Sequence, residues 1–198
     1  MAKYDYLIFD ADHTLVDFDR DERAAFARTF AHFGAPYTEE DLSRARALSD
    51  IVWDEQGLNN VHEEGVRRTY HEKYMGHLPV LFGRIKEAFR VNAPAEELAA
   101  WFLDELNAPS AVLGEALAVF TRLSERYETC IATNGLTVMQ TARLKEFLPH
   151  AAAVFISQEV GSVKPDKAFF TGMLSRLNAS PSRCLFVGDS LSSDVAGC

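Results

Sequence analysis

At 198 residues, with 47% apolar and 25% charged side chains, the chain can bury the core of one ordinary domain, or of a core domain carrying a smaller insert. A formal net charge of −9 argues against a surface for duplex nucleic acid, which needs clustered Lys and Arg to neutralise phosphates. No stretch approaches the ~18 continuous apolar residues of a membrane helix, and MAKYDYLIFDADH lacks the apolar run of a signal peptide, so a cytoplasmic address is the default expectation.

In chain order, the first predicted element is a strand over Tyr6–Phe9, ending in Asp10, Ala11, Asp12, His13 and Thr14. From about 19 to 107 the apolar periodicity is helical, with almost no strand signal. Helices are expected over 19–34, 38–57, 61–76, 79–91 and 94–107. Thr38 with Asp41, and Pro94 with Glu96 and Glu97, read as helix starts, and Gly34, Gly57 and Gly76 as helix ends. The Pro- and Gly-containing stretch NAPSAVLG (107–114) leads back to alternating elements. These are helices over 114–127, 137–148 and 166–178, and strands over Cys130–Thr133, Val154–Ser157 and Cys184–Val187. The strands are continuous apolar runs, as expected where both faces of a parallel sheet are covered. Cys130 and Cys184 lie in such runs and read as buried, reduced core residues. The expected fold is therefore α/β, a Rossmann-like parallel-sheet core (1–17 plus 110–198) with an inserted all-helical domain (18–109).

Four polar clusters fall at the carboxyl ends of those strands, where open parallel sheets bind ligands. Asp10 and Asp12 place two carboxylates two residues apart, an arrangement that is costly without a cation and suits divided nucleophilic and proton-transfer roles. Thr133 and Asn134 offer a hydroxyl and backbone N–H groups at a strand-to-helix turn. Lys164, fixed before Pro165 and ahead of a helix, offers a cation. Asp189 and Asp194, after Gly188, could complete an oxygen-only site of the kind that suits magnesium. Alone, each admits a plainer reading as a capped turn or solvated lysine. Together they supply what phosphoryl transfer requires, which is mostly positioning and charge neutralisation.

Those four clusters, in this order and spacing, resemble the signature motifs of the haloacid dehalogenase superfamily of phosphohydrolases, and the helical block stands where that family's C1-type cap is inserted. The resemblance implies Asp10 as the nucleophile that forms an aspartyl-phosphate and Asp12 as the general acid and base. It implies Mg²⁺ held by Asp10, the backbone carbonyl of Asp12, and Asp189. Thr133, Asn134 and Lys164 would bind the phosphoryl group, with Asp194 and Ser190 supporting the site from behind. Dehalogenating and phosphonate-cleaving relatives lack the second Asp, so Asp12 favours a phosphatase; a sugar-phosphate phosphatase or mutase keeps both. A regulatory protein that kept the fold without turnover is disfavoured, because every motif position holds the expected residue type. The wording FDADHTL, IATNG and ISQEVGSVKPDKAFF is most like the branch acting on pyrimidine nucleoside 5′-monophosphates. The implied partner is thus a small phosphorylated metabolite, a nucleotide, and neither a nucleic acid polymer nor a membrane.

In the helical block, Trp53, Tyr70 and Tyr74 are candidates to stack on a base, and Asn59, Asn60, His62 and Arg67 to contact its polar edge; for each, packing between helices is the plainer reading. Phe18 would line the site mouth. His13 reads as a wall residue, and His32, His62, His71 and His77 form no close ligand pair on one helix face, so zinc is not expected. The sequence stops shortly after the fourth cluster, where members of the resembled family continue. The expectation is a longer protein, with RCLFVG otherwise an exposed apolar edge.

Overall fold

The computed structural model describes residues 3–198. β1 (Tyr6–Phe9) pairs in parallel with β2 (Glu128–Thr133) on one side and β4 (Cys184–Val187) on the other, and β3 (Ala153–Ile156) pairs in parallel with β2. The strand order is β3-β2-β1-β4. All four strands run the same way, so Asp10, Asn134, Ser157 and Gly188 leave the sheet at one edge.

The continuous apolar runs follow from burial on both faces. Leu7, Phe9 and Ile131 pack with Phe120 of α5 (Ala116–Ser124) and with Leu144 and Phe147. Ile8, Cys130, Ala132 and Phe155 face the other way, onto Phe169, Phe170 and Met173 of α7 (Lys167–Leu177). β4 departs from the expectation of two covered faces. Leu185 and Val187, paired with Leu7 and Phe9, are each 38% exposed, because β4 is the edge strand and they lie outside the cluster around Phe120. For the same reason Cys184 is half-buried, while Cys130 is buried as expected. The helix expected over 137–148 ends early: α6 covers Thr137–Arg143, and Leu144 and Phe147 drop into the sheet-face cluster through turns.

Between β1 and β2 lie α1 (Phe18–His32), α2 (Glu39–Glu55), α3 (Glu64–Phe89) and α4 (Ala95–Leu106). α1 and α3 each pack against both α2 and α4. Phe26, Phe30, Phe82 and Phe102 fill the space between them, with the Phe26 and Phe102 rings 4.6 Å apart. This cluster runs on to Leu136 and Met139, which seats the helices on α6. Thr38 and Asp41 form the expected capping box. Gly34 and Gly57 follow α1 and α2 with φ of +65° and +72°, the left-handed conformation that ends a helix. Among the described residues no helix is long and apolar enough to cross a membrane.

The two helices expected over 61–76 and 79–91 are one 26-residue helix, α3, with Pro79 inside it. The reason is the buried stripe Val66, Tyr70, His77, Leu81 and Ile85, which keeps helical spacing across Gly76 and Pro79. Packing on both sides of the proline outweighs the missing backbone N–H. That N–H and the ring clash cost ~3 kcal/mol in a free helix. Pro79→Ala is therefore expected to stabilise the fold by about 1–3 kcal/mol, read from urea denaturation followed by far-UV circular dichroism; a lower midpoint would show that the proline sets a bend the packing requires.

Candidate active site

Asp10 follows the central strand β1, its N–H bonded to the carbonyl of Val187 at 2.8 Å. The chain then turns tightly, with the N–H groups of Leu15 and Val16 both donating to the Ala11 carbonyl and His13 in the left-handed region (φ 59°). Asp10 and Asp12 lie in different surroundings. Asp10 is buried and its carboxyl is pushed up to about 6, because burial outweighs the pull of Lys164. Burial also opposes the charge of Asp12, but there Arg143 and Gln140 win and hold its pKa below the usual carboxylate range. Arg143 Nη2 lies 2.7 Å from Asp12 Oδ1, and Gln140 Nε2 donates to Oδ2 at 3.0 Å.

Lys164 is 1% exposed and uses all three ammonium protons. It donates to Asp10 Oδ1 at 2.6 Å, Asp194 Oδ1 at 2.7 Å and the Ala132 carbonyl at 2.9 Å. Asn134 holds it in place: its side-chain amide accepts from the Lys164 N–H at 2.8 Å and donates to the Lys164 carbonyl at 3.0 Å. Thr133 is buried at the end of β2 and accepts from Gln140 Nε2 at 2.9 Å. Asp194 Oδ2 accepts from the Ser190 N–H at 3.1 Å. A side chain at Gly188 would put its Cβ 2.2 Å from that Oδ2, so the position admits only glycine.

Asp10, Asp189 and Asp194 each bring a carboxylate oxygen within 4.8 Å of the others. Both Asp194 oxygens are engaged, by Lys164 and by Ser190, which makes it the brace of the lysine. Asp10 and the exposed Asp189 are left with oxygens free for a hard cation. The Asp12 carboxylate points elsewhere, to Arg143 and Gln140.

Asp12 and Asn134 also line a cavity of about 510 Å³ between sheet edge and helices, within the ~300–1,000 Å³ usual for small-molecule sites. Trp53, Tyr70, Tyr74, Asn59 and Phe18 line it as expected, and so does His13 at the mouth. Asn60, His62 and Arg67 are not among its walls. Arg67 instead donates to the carbonyls of Val61 and His62 and sits 3.7 Å from Asp166, while His71 Nε2 meets Ser157 Oγ at 2.8 Å. The contacts with Asp166 and Ser157 fasten α3 to the segment after β3.

Residues 4–198, nearly the whole chain, match the haloacid dehalogenase-like hydrolases. The chain belongs to that family. It is accordingly an enzyme of the phosphohydrolase kind. Its relatives include the pyrimidine 5′-nucleotidase PynA of Streptococcus pneumoniae, 28% identical over 98% of this chain and 79% of the relative. The pyrimidine 5′-nucleotidase YjjG of Escherichia coli is 29% identical over 98% of this chain and 81% of its own length. Among solved structures, the putative hydrolase YfnB of Bacillus subtilis, bound to magnesium, superposes with a TM-score of 0.80 at 23% identity, covering 99% of this chain and 82% of that one.

Within this hydrolase framework two site residues escaped the sequence reading. Arg143 is 2% exposed, contacts Asp12, lies 3.5 Å from Asp21 of α1, and has its guanidinium 4.9 Å from the Phe18 ring. Gln140 joins Asp12, Thr133 and the Asn134 carbonyl through one amide nitrogen. Their only sequence signal was polarity on the buried side of α6, three residues apart.

Lys164→Met should lose about 3 kcal/mol or more of stability at pH 7.5, since it leaves two buried carboxylates without their cation. Asp10 already has a folded pKa above its unfolded value, so the folded state holds a proton the unfolded state has released. Stability therefore falls as pH rises from about 4 through 6, and further in the variant. The loss measured by denaturant unfolding is expected to be smaller at pH 5 than at pH 7.5. An equal loss at both would detach the effect from the carboxylates.

Proposed function

We propose that this protein is a Mg²⁺-dependent phosphomonoester hydrolase that works through an aspartyl-phosphate on Asp10, with nucleoside 5′-monophosphates, pyrimidines favoured, as substrates. The carrying observation is that Asp10 and Asp12 sit two residues apart at the sheet edge, while Asp12 also borders an aromatic-walled cavity. The reading includes the division into a core (1–17 plus 110–198) and a cap (18–109), and a cytoplasmic address. The names of PynA and YjjG support the substrate class. A ribulose-1,5-bisphosphate 5-phosphatase from Halopiger xanaduensis, 26% identical over 96% of this chain and 79% of its own length, keeps sugar phosphates in the panel below.

The oxygen-only donor set around Asp10 fits a magnesium ion, which Asp10, Asp189 and the backbone carbonyl of Asp12 would hold. Once bound there, it supplies charge neutralisation to the phosphoryl oxygens and the carboxylates. Thr133, Asn134 and Lys164 are assigned to the phosphoryl group, Lys164 by its charge, since its three protons are held by Asp10, Asp194 and the Ala132 carbonyl. Lys164 also orients Asp10 through Oδ1 and opposes the burial that disfavours its charge, and a carboxylate oxygen of Asp10 attacks phosphorus. The P–O bond to the leaving group breaks as Asp12 delivers a proton to that oxygen. Asp12 then takes a proton from water, whose oxygen attacks the phosphorus, releasing phosphate and restoring Asp10. Arg143 favours the carboxylate form of Asp12, the form that accepts the proton from water. A dianionic phosphate arriving beside Asp12 opposes Arg143 and favours the protonated form needed for the first step.

Asp10→Asn is expected to abolish turnover in a folded protein, and Asp12→Asn to lower kcat by about 10²–10⁴. Phosphate release from pyrimidine and purine monophosphates, sugar phosphates and an aryl phosphate, with and without Mg²⁺, tests the whole reading. Metal-dependent release favouring UMP, dUMP or dTMP supports it. Release favouring sugar phosphates keeps the roles of Asp10 and Asp12 and discards the substrate, and isomerised sugar phosphate with little free phosphate marks a mutase.

A further inference from the structure

Glu22 of α1 lines the same cavity from the cap side and has no part in the chemistry above. It is 5% exposed, a rare position for a carboxyl group without a full set of partners. Oε1 accepts from the Ser49 hydroxyl at 2.7 Å. Oε2 lies 3.4 Å from Arg46 Nε and accepts no hydrogen bond among the described residues. Arg46 is itself committed to Asp19 through Nη2. Oε2 is thus held by the Arg46 ion pair alone, without a hydrogen-bond donor, in a cavity that Asp12 also borders. A ligand that brings a donor to it adds a hydrogen bond that the protein leaves unmade.

We propose that Glu22, braced by Ser49 and Arg46, is a specificity-determining residue whose free oxygen accepts an N–H from the leaving group, the ring N–H or amino group of a pyrimidine base. The inference rests on the nucleotidase reading and deepens it. The surroundings favour a flat ring over a sugar. Trp53, Tyr74, Phe102 and Leu106 share the cavity with Glu22 and offer faces on which a ring can stack. A base needs one or two polar contacts and stacks on the rest. Burial pushes the Glu22 carboxyl up to about 7, against the Ser49 hydrogen bond and Arg46, with Asp50 and Asp19 adding to the rise. A donor at Oε2 opposes that rise by favouring the charged form.

The test compares kcat/KM for UMP and for N3-methyl-UMP, which differs by loss of the ring N–H, in the wild type and in Glu22→Gln. A buried acceptor left unpaired discriminates strongly, so the wild type is expected to prefer UMP by about tenfold or more. The variant should show a preference about threefold or less, with the change in KM rather than kcat, because an amide can present a donor or an acceptor to either ligand. Ser49→Ala, which releases Oε1 without touching the charge, should give an intermediate ratio. UMP turnover with no preference over the methylated ester in the wild type overturns the Glu22 assignment and leaves the nucleotidase reading standing. Turnover of para-nitrophenyl phosphate with none of any pyrimidine monophosphate overturns both.

Discussion

Lys164 carries its charge at 1% exposure, between Asp10 and Asp194 and under the Ala132 carbonyl. A buried ammonium is costly unless every proton finds an oxygen, and here each one does. The three acceptors come from the ends of β1 and β2 and from the turn after β4, so one side chain ties together strands remote in sequence. The constraint spreads outward. Asn134 must clamp the Lys164 backbone, Asp194 must be fixed by the Ser190 N–H, and Gly188 must lack a side chain so that Asp194 can approach. The site is held in shape by an ion cluster before any substrate arrives.

The same cluster separates the two aspartates. Asp10 shares its cation with another carboxylate and is buried, so its charged form is disfavoured. Asp12, two residues on, has Arg143 close by, a cation shared only with the more distant Asp21, and its charged form is favoured. Carboxylates with opposed environments are the pattern by which one site runs nucleophilic and proton-transfer chemistry side by side. The separation comes from the side chains that meet each carboxylate: Lys164 at Asp10, and Arg143 with Gln140 at Asp12.

Much of the α/β frame was legible because its signals are local. Continuous apolar runs ending in Asp10, Thr133 and Asp189 mark parallel strands with polar groups at one edge. The errors lie where packing overrides local signals. Gly76 and Pro79 read as a helix end and a helix start, yet the stripe from Val66 to Ile85 carries α3 through both. β4 read as a covered strand from its apolar run, with an exposed apolar edge as the alternative, and among the described residues it is the edge. Arg143 and Gln140 were invisible for a different reason. A polar residue on a helix looks solvated until the tertiary fold shows what it faces, and α6 faces the strand ends.

Glu22 shows the same limit in the helical insert. In sequence it is one acid in the run DRDER, which reads as a solvated first turn. In space α2 lays Ser49 and Arg46 over it and closes off solvent. The sheet edge can be read from motifs because its chemistry is fixed by backbone positions at strand ends. The helical insert cannot, because a recognition surface there is the sum of faces from four helices, and each face is also needed for packing. Tyr70 and Trp53 illustrate this: their rings lie 6.4 Å apart in an edge-on pair, and both border the cavity. A residue that both packs and lines a site leaves no sequence signature of the second role. What separates the two roles physically is a polar valence that packing does not fill, and Glu22 Oε2, ion-paired with Arg46 but without a hydrogen-bond donor, is one such valence in this cavity.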